Sequence, residues 1–212
     1  MDEEVVNASQ RWSGVAPVYG WLRLDSRGRW RLIRRDRADF DSLRDAQGDP
    51  ISSPGLIDFI GRNYAPDAEG AWYWQNGPQR VYVALETAPL IYRVLERRDA
   101  GPGRALVAHT GYRAECLESV WIDPGMQVFV RTELGPGMVH DQDLALLDMV
   151  GMDEPWTGSA ESLGGKSPAT LRWTDLHGHR RSIALQWTED AALALGFVCN
   201  PQAPTPCNRP EG

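Results

Sequence analysis

The stretch GAWYWQNGPQRVYVALE, Gly70 to Glu86, constrains the fold more than any other part of the chain. Apolar and polar residues alternate on both sides of an Asn-Gly-Pro turn, and a period of two belongs to strands with one buried face. Proline has no amide hydrogen to close a two-residue Asn-Gly turn, so a four-residue loop from Gln75 to Pro78 is expected. That register sets Trp74 opposite Gln79 and Trp72 opposite Val81. Trp72, Trp74, Val81, Val83 and Leu85 then share one face, and Tyr73, Arg80, Tyr82 and Glu86 share the other. The tryptophans are assigned to the core, where large aromatics contribute most. The face with Tyr73, Arg80 and Tyr82 is the part of this hairpin able to meet a ligand.

WLRLDSRGRWRLI reads as a second hairpin, with Gly28 at a left-handed position of a Ser26-Arg27-Gly28 loop. Leu24 faces Trp30 and Leu22 faces Leu32, all on the core side, while Arg23, Arg29 and Arg31 line the opposite face. Residues 22–37 hold seven arginines against two aspartates, and residues 38–69 hold seven acids against two arginines. Like charges on one strand face repel unless neutralised. Asp25 and the acids of residues 39–49 are the expected partners. Left unpaired, Arg23, Arg29 and Arg31 would suit a carboxylate or phosphate on a small anionic ligand or an acidic protein.

DPISSPGLIDFIGRNYA predicts a short helix capped by Ser53, with Pro54 in its first turn and Leu56, Phe59, Ile60 and Tyr64 on one stripe. Strands are expected at Leu90 to Leu95 and Ala105 to Tyr112. ESVWIDPGMQVFVRTE predicts two more around Pro124-Gly125, with Val120, Ile122 and Phe129 on one face and Trp121, Val128 and Val130 on the other. HDQDLALLDMVG predicts a helix capped by Asp141 and stopped by Gly151. A loop follows to Pro168, then a hairpin with its tip at His177 to His179. TEDAALALG predicts a last helix, capped by Thr188 and ended by Gly196. The fold class is α+β: mainly antiparallel hairpins with about three short helices, in two similar packed halves. The halves are residues 1–115, β-rich with one helix, and 116–198, hairpin-helix-hairpin-helix. A proline-rich tail occupies 199–212.

With 212 residues, 42% hydrophobic and 24% charged, the chain has an ordinary globular composition. A net charge of −7 disfavours a general nucleic-acid binder. No apolar run is long enough to span a membrane, and Met-Asp-Glu-Glu is not the opening of a secretory signal. A cytoplasmic location is expected. Three cysteines, Cys116, Cys199 and Cys207, are too few for a disulfide scaffold, and Cys199 and Cys207 are expected as free thiols.

Chemistry-bearing motifs are sparse. Neither a Gly-x-Ser-x-Gly elbow, a Gly-x-Gly-x-x-Gly turn nor a phosphate loop occurs, since Gly-Lys-Ser in SLGGKSPAT lacks the preceding glycine spacing. His140, Asp143, His177 and His179 are ligands by type for a divalent metal, and a metal-dependent hydrolase built on them is the alternative reading. No catalytic residue and no cofactor are assigned. The leading reading is a non-enzymatic binding or regulatory module. WYWQNGPQRVYVALETAPLIYRV, with the closing ALGF before the tail, resembles an uncharacterised bacterial family known only as a domain of unknown function. The resemblance implies a small bacterial protein and brings no substrate and no site residues.

Overall fold

The computed structural model describes residues 1–12, 14–36, 39–41, 45–97, 103–151 and 169–203. It opens with a helix, α1 (Glu3–Arg11), where none was expected. Only Val5 of α1 is buried, so the helix carries no apolar stripe for a sequence reading to find. Polar bonds dock its start instead. Asp2 N donates to Asn63 Oδ1 at 2.7 Å, and Arg62 Nε donates to Asp2 Oδ1 at 3.2 Å.

Strands β1 (Val18–Leu24) and β2 (Trp30–Leu32) form the expected hairpin, with Leu22 opposite Leu32 and Leu24 opposite Trp30. Gly28 has φ +77, the left-handed conformation that turn requires. Leu22, Leu24 and Trp30 are buried, but Leu32, the outer end of a three-residue strand, is 37% exposed. Strand β3 (Asp49–Pro50) pairs with β2. Helix α2 (Pro54–Arg62) follows with proline in its first turn, though the Ser53 side chain makes no capping bond. Ile60 is buried and Leu56 is exposed, while Tyr64 falls in strand β4 (Tyr64–Pro66) instead of the helix.

The tryptophan hairpin is β5 (Trp72–Asn76) and β6 (Gln79–Leu85). Its loop is Gly77-Pro78, so Trp74 faces Val81 and Asn76 faces Gln79, in place of the four-residue loop. Gly77, at φ +57, fills the first turn position, and proline's fixed negative φ suits the second of a II′-type loop. The slip is two residues, so every side chain keeps its face. Trp72 is 3% exposed and Trp74 half-buried, the latter edge-on to Phe59 at 5.9 Å.

The remaining strands are β7 (Leu90–Glu96), β8 (Arg104–Ala108), β9 (Arg113–Ala114), β10 (Leu117–Ile122), β11 (Val128–Thr132), β12 (Gly135–Val139), β13 (Asp148–Val150), β14 (Thr170–Thr174) and β15 (Arg180–Trp187). Val120 faces Val130 and Ile122 faces Val128, so these four share a face and Phe129 joins Trp121. The expected grouping misplaced Phe129, Val128 and Val130 because the five-residue loop 123–127 reverses the parity assumed. Asp141–Leu146 is a 3-10 helix with His140, not Asp141, at its N-cap, and the rest of the expected helix is strand β13. Helix α3 (Ala191–Leu195) ends at Gly196 as expected, but Asp190 rather than Thr188 caps it, accepting from Leu193 N at 3.0 Å.

The fold is mostly β with few short helices, and its sheets are mixed. One sheet runs β3-β2-β1-β6-β5-β4 and the other β13-β14-β15-β10-β11-β12-β7-β8-β9. β1 pairs with β6, β10 with β15 and β7 with β12 in parallel. The order β3-β2-β1-β6-β5-β4 recurs, direction for direction, as β12-β11-β10-β15-β14-β13. The chain leaves the first sheet at Leu85 and enters the second at Leu90, whereas the boundary expected from sequence lay at residue 115. One continuous apolar core draws on both sheets. A bridge between Arg104 and Asp175 brings β8 against the end of β14, curling the larger sheet toward closure. Among the described residues no helix is long and apolar enough to cross a membrane.

Candidate functional site

The near-closure of the larger sheet leaves a cleft of about 620 Å³. Glu96 and Arg97 enter it from the end of β7, and Gly103 and Arg104 from the start of β8. Asp148 comes from β13, Arg172 to Thr174 from β14, and Arg180 to Ser182 from β15. Gly103 permits the close approach. A Cβ there would lie 2.9 Å from the Asp175 carbonyl oxygen. Register explains why Arg172 and Arg180 reach the cleft from one face, whereas Arg181, opposite Trp173, comes from the other face of β15. Leu171 and Trp173 turn into the core, so Arg172 and Thr174 project from the opposite face of β14.

Among the described residues five arginines here meet two carboxylates, in a chain whose net charge is −7. Both carboxylates are engaged. Arg172 grips Asp148 with two bonds of 3.0 Å, and Arg104 Nε meets Glu96 Oε1 at 3.2 Å. The Arg172 hydrogen bond holds the Asp148 carboxyl below its ordinary range. Arg97, Arg180 and Arg181 have no carboxylate partner among the described residues, and Arg181 Nη2 approaches Cys116 Sγ at 3.8 Å. The planar forks, with the Thr174 and Ser182 hydroxyls, form a donor-rich surface suited to anionic oxygens.

The arginines singled out in the sequence lie elsewhere and are engaged. Arg29 Nε donates to Asp25 Oδ2 at 2.7 Å, and Arg31 reaches the Gln47 and Gly48 carbonyls at 2.7 and 3.1 Å. Arg23 pairs with Glu86 at 3.4 Å. Burial pushes the Asp25 carboxyl up, but hydrogen bonds from Arg29 and Arg27 outweigh it and the net shift is downward. Tyr73, Arg80 and Tyr82 do share a face. Tyr73 and Tyr82 are 7% and 9% exposed, Tyr19 stacks on Tyr82 at 4.6 Å, and Arg80 lies 4.5 Å over the Tyr73 ring. Tyr82 OH donates to Asp67 Oδ2 at 2.9 Å. Burial, reinforced by Asp67, pushes this phenol up to about 12.

The set His140, Asp143, His177 and His179 does not form a metal centre. Asp143 spends its carboxylate on Arg93, at 2.6 and 2.8 Å, and on Val94 N at 2.8 Å. His140 caps the 3-10 helix, and His179 Nδ1 lies 3.0 Å from Asp175 Oδ2 at an exposed hairpin tip. Among the described residues no group of three or more His, Cys, Asp or Glu side chains could hold a metal ion. Cys199 carries a free thiol, which burial pushes up, and Cys207 lies outside the described residues. Sequence reasoning missed the cleft arginines because they come from two hairpins, β7–β8 and β14–β15, that lie far apart in the chain. The signal within reach was Arg172 alternating with buried Leu171 and Trp173.

A DUF1285 family protein from Silicibacter pomeroyi DSS-3 is similar in structure, with a TM-score of 0.48 and 14% identity, over 79% of this chain and 81% of that one. A DUF1285 family protein from Shewanella baltica OS155 gives a TM-score of 0.42 and 11% identity, over 60% of this chain and 89% of that one. No curated protein matches the chain. Residues 1–202 match the family DUF2944, described as "Protein of unknown function (DUF2946)", and with nearly its whole length covered the chain belongs to that family.

Proposed function

We propose that this chain is a non-enzymatic binding module of the bacterial cytoplasm, built from two similar halves, that holds a small anionic ligand in the arginine-lined cleft. The observation that carries the reading is the charge imbalance. Arg97, Arg180 and Arg181 face a 620 Å³ cleft with no carboxylate partner among the described residues, in an acidic chain. The volume lies within the usual span of small-molecule sites. The lining supplies binding chemistry: guanidinium forks, two hydroxyls, and carboxylates already held by arginine.

Isothermal titration with citrate and with inorganic pyrophosphate tests the reading. At least one of the two should bind saturably, and raised salt should weaken it. Replacing Arg180 and Arg181 together with alanine should weaken binding by about tenfold or more, roughly 1.4 kcal/mol. Identical isotherms for variant and parent, or no saturable heat from either anion, would end the proposal.

A further inference from the structure

The repeated strand order gives the arginine cleft a counterpart in the first sheet. Loops 25–29 and 123–127 have equal length, and each is capped by its leading aspartate. Leu24 opposite Trp30 flanks one, and Ile122 opposite Val128 flanks the other. The left-handed position is Gly28 in the first, at φ +77, and Met126 in the second, at φ +60. Parallel pairing extends the match, since Val83 beside Leu22 corresponds to Leu185 beside Val120. Counting back along β6 and β15 sets Arg80 in the place of Ser182. Their cross-strand partners, Gln75 and Arg172, then coincide as well. Arg172 and Ser182 line the arginine cleft, while Gln75 and Arg80 line a separate cavity of about 340 Å³.

The second cavity is differently furnished. Val15, Pro17, Pro78 and Tyr82 give it apolar walls. Gln75 is 3% exposed and donates Nε2 to the Gly77 carbonyl at 2.9 Å, and among the described residues no hydrogen bond uses its Oε1. Arg80 meets no carboxylate among the described residues; its guanidinium lies over Tyr73 and close to the Tyr82 hydroxyl, whose pKa it lowers, and its remaining N–H groups are what a ligand would meet. The stack of Tyr19 on Tyr82 and the bond from Tyr82 OH to Asp67 fix the aromatic wall.

We propose that this cavity is a second binding site, for a small carboxylic acid with a flat apolar body and one hydrogen-bond donor. Arg80 takes the carboxylate, Gln75 Oε1 takes the donor, and the apolar walls take the body. The cavity is near the lower end of the usual size range for ligand sites, which favours a compact acid.

4-Hydroxybenzoate and benzoate are suitable probes, titrated calorimetrically into the intact chain up to their solubility limits. 4-Hydroxybenzoate should bind saturably and more tightly than benzoate, which lacks the donor. Arg80→Gln should weaken it about tenfold, equivalent to about 1.4 kcal/mol, with an unchanged circular dichroism spectrum. The Arg180→Ala/Arg181→Ala variant should bind it as the parent does, so the two sites fail or survive separately. Absence of saturable binding, no preference for the hydroxylated acid, or an affinity unmoved by Arg80→Gln would each overturn the assignment. If Arg80→Gln unfolds, Arg80→Lys, which keeps the charge but loses the fork, should give an intermediate loss, and an unchanged affinity counts against the site.

Discussion

Four turns of this protein are built on one tetrapeptide: Asp25 to Gly28, Asp45 to Gly48, Asp67 to Gly70 and Asp175 to Gly178. In each the glycine amide donates to the aspartate carbonyl, at 3.0 to 3.3 Å, and the glycine has positive φ. Asp25, Asp67 and Asp175 also accept amides two and four residues on. The glycines share a conformation but not an environment. A Cβ on Gly28 would meet His109 Cβ at 2.7 Å, whereas one on Gly178 would meet nothing within 4 Å. Each alanine substitution incurs the left-handed penalty of about 1–2 kcal/mol. Gly28→Ala adds an overpacking cost of about 1–3 kcal/mol, because the half-buried His109 is held between Trp30 and the Ile91 amide and the clash is with its Cβ, not with a flexible end. Urea denaturation of the two variants should show Gly28→Ala clearly the less stable, and equal losses would mean that the contact with His109 is not tight. At this scale the sequence is readable in part: the Ser26-Arg27-Gly28 loop places Gly28 in its turn, but Asp-x-x-Gly alone names no turn, since Asp58 to Gly61 lies in helix α2. What it could not name was the neighbour, because His109 lies far along the chain from Gly28.

Among the elements, Trp72 connects the two sheets. It is 3% exposed, its ring lies 4.8 Å from that of Tyr64, and a Cβ on Gly135 would fall 3.0 Å from its Cζ2. Trp72→Ala should cost about 3–5 kcal/mol, read from the urea midpoint at constant m-value. A loss below about 1 kcal/mol would place Trp72 outside the core. The hairpins show which parts of an element a sequence defines. Face survives error better than register: the β5–β6 loop is two residues shorter than expected, yet the tryptophans stayed on the core side. For β10–β11 the loop parity differed and Phe129 changed sides. Both faces there are apolar, so no polar residue marked the outside. Helix α1 was invisible for the opposite reason, since polar bonds through Asp2 hold it and hydrophobic spacing does not.

Across the whole molecule, the parallel pairings were the least legible feature. A parallel partner arrives after a long crossover, and nothing local announces it. The arginine cleft depends on those pairings, so its residues could be read only as strand arginines. His109 is the other product of long-range closure. Its Nδ1 accepts from Ile91 N in the larger sheet at 3.3 Å, while its ring packs 5.1 Å from Trp30 in the smaller one. With Nδ1 accepting, the neutral ring carries its proton on Nε2, which is sealed from solvent and has no partner among the described residues. Burial disfavours the imidazolium and lowers its pKa to about 3, against a smaller opposing pull from Asp25. In the unfolded chain a histidine titrates near 6.5. Between those values the unfolded state binds a proton that the folded state refuses. Stability is therefore full above about pH 6.5 and falls as the pH drops toward about 3, at no more than about 1.4 kcal/mol per pH unit. The carboxylates held low by arginine, Asp25, Asp143 and Asp148, act in the same direction, but only from about pH 4 downward, where unfolded aspartates take up protons. The interval from about pH 6 to about pH 4.5 thus separates the histidine from the acids. His109→Gln keeps a polar, neutral side chain and removes the titration. Urea denaturation across that interval should show the wild-type protein losing stability more steeply than His109→Gln. Parallel slopes for the two proteins would mean that His109 opens to solvent and protonates without disturbing the junction of the sheets.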